Sequence, residues 1–95
     1  MNFYQLKAFY IVAESGSFTT ASRVLFITQP AVSHQIRALE SYLGVKLLNR
    51  GGRKVTLTRE GVILYEYAKR IFSLMDEAKA SLRRSQDLAH GSVSM

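Results

Sequence analysis

Within nine positions the chain carries Gln29, Ser33, His34 and Arg37, with Pro30 and Ala31 among them. These side chains suit recognition of a base edge or a phosphate. A glutamine amide offers a donor beside an acceptor and pairs with adenine, a serine hydroxyl donates or accepts, and an alanine methyl meets the thymine methyl. Arg37, one turn further on, reaches a base or a phosphate, and His34 lies beside Ser33 on the same exposed turn. Bond-breaking chemistry is not indicated. No carboxylate pair, nucleophile–base set or glycine-rich phosphate loop stands at a usable spacing, so an enzyme is not expected and no catalytic residue is assigned. With no cysteine and only His34 and His90 as histidines, neither a disulfide nor a metal site is expected, and no cofactor.

The charge supports a polyanionic partner. Net charge is +6, and the excess lies in the middle of the chain. Residues 17–59 contain Arg23, Arg37, Lys46, Arg50, Arg53, Lys54 and Arg59 against Glu40 alone, while the rest of the chain is balanced. A concentrated basic face of this kind is the electrostatic footprint of nucleic-acid binding.

The elements that position these residues are readable from spacing. Asn2 to Ser15 forms a helix, capped by Asn2 and ended by Gly16, with Leu6, Phe9, Tyr10 and Ala13 on one apolar face. Ser17 caps a short second helix whose Ala21, Val24 and Leu25 point inward, and Phe26, Ile27 and Thr28 make a turn. Thr28 caps a third helix from Gln29 to Leu43, with Pro30 in the first turn, an inner stripe of Val32, Ile36, Leu39 and Leu43, and Gly44 as the stop. Residues 18–37 thus read as a helix-turn-helix, whose second helix enters the major groove while the first crosses the backbone. On that arrangement Thr19 and Thr20 are candidates for phosphate contact, and Thr28 joins Gln29, Pro30, Ala31, Ser33, His34 and Arg37 in the DNA-facing set.

A hairpin follows, with arms 45–48 and 55–57 and Gly51-Gly52 near its tip. Arg50, Arg53 and Lys54 flank the tip as candidates for phosphate or minor-groove contact. Thr58 then caps a long helix to about Ala89, ended by His90-Gly91-Ser92. Leu64, Ala68, Ile71, Met75, Ala78 and Leu82 make a heptad seam suited to a dimer. Ile63, Tyr67 and Leu74 form a second stripe available to pack on the first three helices. Tyr65, Tyr67 and Phe72 are expected in the core or an interface, not as base-stacking platforms.

Taken together, the opening MNFYQLKAFYIVAESGSFTTAS, then TQPAVSHQIRALESYLGVKLLNR, then VTLTREG resemble the LysR-type family of transcriptional regulators. The resemblance is close over residues 1–65 and looser along the last helix. It implies a mostly α fold, a winged helix-turn-helix of three helices and a two-stranded wing, followed by a dimerising linker helix. It also implies sequence-specific binding to double-stranded promoter DNA. Ala21-Ser22 stands where the family often has two alanines, Leu48 where it often has an aromatic, and His34 where arginine is frequent.

The expected organisation is a DNA-binding domain over residues 1–58, a linker and dimerisation helix over 59–90, and the start of an effector-binding domain over 91–95. A small-molecule effector would act only through that further domain, and a full-length protein would form a homodimer or higher oligomer. No apolar run approaches the roughly 20 residues that span a bilayer, and the N-terminus lacks the features of a signal peptide, so a cytoplasmic protein is expected. The alternative of a winged-helix module that binds protein is disfavoured by the basic face of helix and hairpin.

Overall fold

Capping chemistry delimits the first three helices. The structure, a computed structural model, describes residues 1–51 and 54–94, with side-chain surroundings through residue 87. In α1 (Phe3–Ser15), Asn2 accepts a hydrogen bond from the Gln5 amide at 2.8 Å, and Gly16 closes the far end in the left-handed conformation. In α2 (Phe18–Leu25), the Ser17 hydroxyl accepts from the Thr20 amide at 3.1 Å. In α3 (Gln29–Leu43), Thr28 accepts from the Ala31 amide at 3.2 Å and Gly44 closes the helix. Each cap satisfies amides or carbonyls that the helix itself leaves free.

The turn between α2 and α3 ends α2 at Phe26, which adopts φ 57° and is 93% exposed. A left-handed aromatic costs about 1–3 kcal/mol. Burial offsets it: Phe9, Val12, Val32, Ile36, Leu39 and Leu47 are wholly enclosed, and each such side chain contributes about 1.5–3 kcal/mol. Ala8 and Ala21, also enclosed, let α1, α2 and α3 cross closely. Val24, expected to point inward, is exposed instead, because α2 is short and only Ala21 reaches the centre.

The wing is shorter than the sequence suggests. Antiparallel β1 (Leu48–Asn49) and β2 (Thr56–Leu57) pair Leu48 with Leu57 and Asn49 with Thr56. Residues 45–47 do not join the ladder because other groups satisfy their backbone. Glu40 accepts from the Leu47 amide, the Thr58 amide donates to the Leu47 carbonyl at 3.0 Å, and the Thr58 hydroxyl donates to the Lys46 carbonyl at 2.6 Å.

Thr58 also accepts from the Gly61 amide at 3.0 Å and so caps α4 (Arg59–Ser94), with Glu60 in the favourable first turn. Gly61 lies against the Leu47 backbone, where a Cβ would run into the carbonyl oxygen. The helix does not stop at His90-Gly91-Ser92 but runs on through Ser94. A single glycine costs a helix only about 1 kcal/mol and by itself does not end one.

The packing of α4 draws the first part of the expected seam into the chain's own core. Ala68 is enclosed by the chain itself, and Leu64 and Tyr65 pack against the core. Tyr65 stacks on Tyr10 with ring centroids 5.4 Å apart, and Phe72 meets Tyr10 at 5.1 Å and Phe3 at 5.7 Å. Met75 lines a crevice with Phe3, Tyr10 and Phe72. The stripe expected to cover the first three helices is free instead: Ile63, Tyr67 and Leu74 are 52%, 56% and 62% exposed. Aromatic packing decides this, since three α1–α4 ring pairs outweigh the heptad spacing. Ala68 therefore offers no surface to a second chain, whereas Ile71, Ala78 and Leu82 remain exposed.

Candidate nucleic-acid interface

The exposed side of α3 is built by neighbours on both flanks. Gln29, exposed in the first turn, donates from Nε2 to the Thr19 hydroxyl of α2 at 3.0 Å. One turn later, half-buried Ser33 accepts at Oγ from Arg50 Nη1 at 3.1 Å. Phe18, Gln29, Pro30, Ser33, Arg37 and Arg50 line one shallow depression of about 320 Å³. Thus α2, α3 and the hairpin each contribute to one face, and most of the expected α3 residues meet there.

Arg50 does more than flank the hairpin tip. Its Nη2 lies 3.3 Å from Glu40 Oε1, and its guanidinium sits 5.5 Å from the Phe18 ring centre. Its side chain is 25% exposed and that of Glu40 only 6%. Arginine supplies five donors in a planar fork, so it can hold Ser33 and Glu40 while one edge still faces solvent.

Glu40 is the residue that sequence reasoning missed. Its Oε2 accepts from the Leu47 and Leu48 amides at 2.7 and 3.3 Å, and its Oε1 faces Arg50. One buried carboxylate thereby joins α3 to the start of the wing. Two signals pointed to it: it is the lone acid of residues 17–59, and it lies four residues after the core residue Ile36. A buried charge is retained only when paired and hydrogen-bonded, and Glu40 has three partners.

The other expected residues are dispersed around this centre. His34, Arg37, Thr19, Thr20 and Lys54 are exposed, and Ala31 is half-buried. Thr28 is exposed, but its hydroxyl already accepts the Ala31 amide as the α3 cap. Lys46 and Arg37 border a second hollow with Asn49 and Gly51, which extends the basic face toward the wing. Arg53 lies outside the described residues. Among the described residues, no helix is long and apolar enough to cross a membrane.

Three helices and a two-stranded wing, with α3 held from both sides, define a winged helix-turn-helix domain. The chain belongs to the bacterial regulatory helix-turn-helix protein, lysR family, whose sequence model matches residues 3–62. It is similar to the probable RuBisCO transcriptional regulator of Thalassiosira pseudonana, 42% identical over 89 residues that make up 94% of this chain and 29% of that protein. It is also similar to the glycine cleavage system transcriptional activator of Escherichia coli (strain K12), 46% identical over 78 residues, 82% of this chain and 26% of that one. The chain thus spans less than a third of the length of either regulator.

Solved structures agree. The BenM DBD in complex with catB site 1 DNA matches with a TM-score of 0.83 and 42% identity, covering 88% of this chain and 93% of that one. The CbnR DBD–DNA complex matches with a TM-score of 0.79 and 40% identity, over 90% and 98% of the two chains.

Proposed function

We propose that this chain binds specific sequences in double-stranded promoter DNA as the reading part of a bacterial transcriptional regulator. The observation that carries this is the gathering of Gln29, Ser33, Arg37 and Arg50 around one depression on the exposed side of α3. In this reading α3 lies in the major groove, Gln29 and Ser33 meet base edges, and Pro30, Ala31, His34 and Arg37 line the same contact. Thr19, Thr20 and Thr28 stand beside the backbone, Arg53 and Lys54 bring the wing to phosphates or the minor groove, and Arg50 joins the interface through Ser33. Similarity to domains solved with DNA supports the orientation.

Residues 1–58 form the reading unit, and α4 is the linker through which two copies pair. The face for pairing is Ile63, Tyr67, Ile71, Leu74, Ala78 and Leu82, all exposed in the single chain. Regulators of the length of the curated relatives have room for a further domain that takes a small-molecule effector and assembles higher oligomers, and a cytoplasmic location accompanies this role.

The test is a footprint of the domain on genomic fragments combined with a salt titration. Protected sites with dyad symmetry are expected, with affinity falling steeply as salt rises because each neutralised phosphate releases a counterion. Affinity indifferent to salt would point to a protein partner and end the DNA reading.

A further inference from the structure

The hydrogen bond between Arg50 and Ser33 has a fixed polarity. Arginine only donates, whereas a serine hydroxyl has one proton to give and two lone pairs to receive with. The Arg50 Nη1–H therefore occupies a lone pair of Ser33 Oγ, at 3.1 Å. The arginine is fixed in turn, by Glu40 at 3.3 Å and by the Phe18 ring beneath it. Glu40 is anchored by two backbone amides. This chain of contacts ends at a buried carboxylate.

The Ser33 proton remains to be placed. Serines inside helices commonly donate to a carbonyl three or four residues back. Ser15 does so to Ile11 at 2.7 Å, and Ser22 does so to Thr19 at 2.7 Å. Among the described residues Ser33 makes no such bond, and it borders the depression that Gln29 and Arg37 share.

We propose that Arg50, by filling one lone pair of Ser33 Oγ, turns the Ser33 proton toward the DNA, so that a base presenting an acceptor to Ser33 is preferred. In the major groove that preference is met by purine N7, guanine O6 or thymine O4, and least by cytosine, whose edge offers only its amine. Arg50 is then a specificity-positioning residue: it acts through Ser33, and its charge is already matched by Glu40. This deepens the proposed function and rests on it.

The experiment is selection of bound duplexes from a randomised library by the domain, with sequencing of the recovered pool. The variants are Ser33→Ala, Arg50→Met and the pair Arg50→Met with Glu40→Gln. The pair keeps an acceptor for the two wing amides without leaving a charge unmatched. Circular dichroism melts identify which variants fold. The wild-type pool should disfavour cytosine at one position by about three- to tenfold, the range of one net hydrogen bond. Ser33→Ala and the folded Arg50 variant should lose that bias at that position alone, with the salt slope unchanged. The proposal fails if cytosine stays disfavoured in the Arg50 variant. It also fails if Ser33→Ala weakens every duplex equally, or if losing Arg50 lowers the salt slope by about one unit, the mark of a direct phosphate contact. A wild-type domain that enriches no sequence would remove the underlying DNA reading, a different failure that the wild-type arm alone reveals.

Discussion

The Gln29 side chain donates to the Thr19 hydroxyl across 3.0 Å, tying the first turn of α3 to α2. An amide nitrogen carries two protons. Thr19 takes one, which leaves a second N–H beside the carbonyl oxygen, the pair that an adenine edge needs. Gln29→Ala should cost about 1–3 kcal/mol on a preferred duplex and little on a scrambled one, as a base contact carries discrimination. Equal losses on both duplexes would mean that α3 is not the reading element.

Thr19→Val separates orientation from contact. The isosteric methyl removes the acceptor and leaves Gln29 in place. The expected loss is about 0.5–1.5 kcal/mol on the preferred duplex, the net worth of one hydrogen bond. Fluorescence anisotropy at fixed salt measures it, and Thr19→Val should cost less in the Gln29→Ala background than alone, because the part it plays through Gln29 is then already lost.

Lys54 is exposed beside the hairpin tip and has no role in the core. Lys54→Ala should weaken specific and scrambled duplexes alike and lower the salt slope by about one unit, because a phosphate contact releases a counterion whatever the sequence. Affinities for both duplexes across a salt series give the answer.

Pairing through α4 is tested on its exposed stripe. Ile71 and Leu82, 39% and 69% exposed, are poised to meet a second copy. Replacing both by Asp would bury charge in the seam at a cost of several kcal/mol, and sedimentation should report monomers. A double variant that remains dimeric would show that the chains meet elsewhere. Ala68→Asp should instead unfold the single chain, since that side chain is enclosed already.

Gly61 supports the joint between wing and α4. A Cβ there meets the Leu47 carbonyl, which is backbone and cannot swing aside. Gly61→Ala should destabilise the domain by about 1–3 kcal/mol, the usual cost of overpacking, despite the better helix propensity of alanine. A thermal melt reads this, and an unchanged or raised Tm would place the joint elsewhere.

What the sequence made legible was local. Asn2, Ser17, Thr28, Gly16 and Gly44 mark helix ends through groups one turn away, so the bounds of α1 and α3 follow from the residues themselves. Gln29, Pro30, Ser33 and Arg37 likewise share one side of α3, as the helix-turn-helix pattern requires, and Arg50 of the hairpin joins them. The inner stripe of α4 was not legible. Leu64 and Ile63 are neighbours in sequence and both apolar, and the rotation of the helix is set by Tyr10 and Phe3, more than fifty residues away. Glu40 escaped for a similar reason. Its isolation among basic residues and its spacing from Ile36 marked it, but its partners, the amides of Leu47 and Leu48, lie beyond the end of α3 and are brought to it only by the fold.

The way α4 leaves the wing has one more consequence. Its first turn is stapled by Thr58 to Lys46 and by close contact at Gly61 to Leu47, so there is no loose joint between reading unit and linker. In a pair joined along α4, the separation and angular phase of the two reading helices are then those of a screw with a fixed pitch. Inserting one residue after Met75 would turn everything beyond it by about 100° and advance it by about 1.5 Å. The spacing between the halves of a bound site is thus a property of the linker's length, and it would shift without any change in the residues that meet the bases.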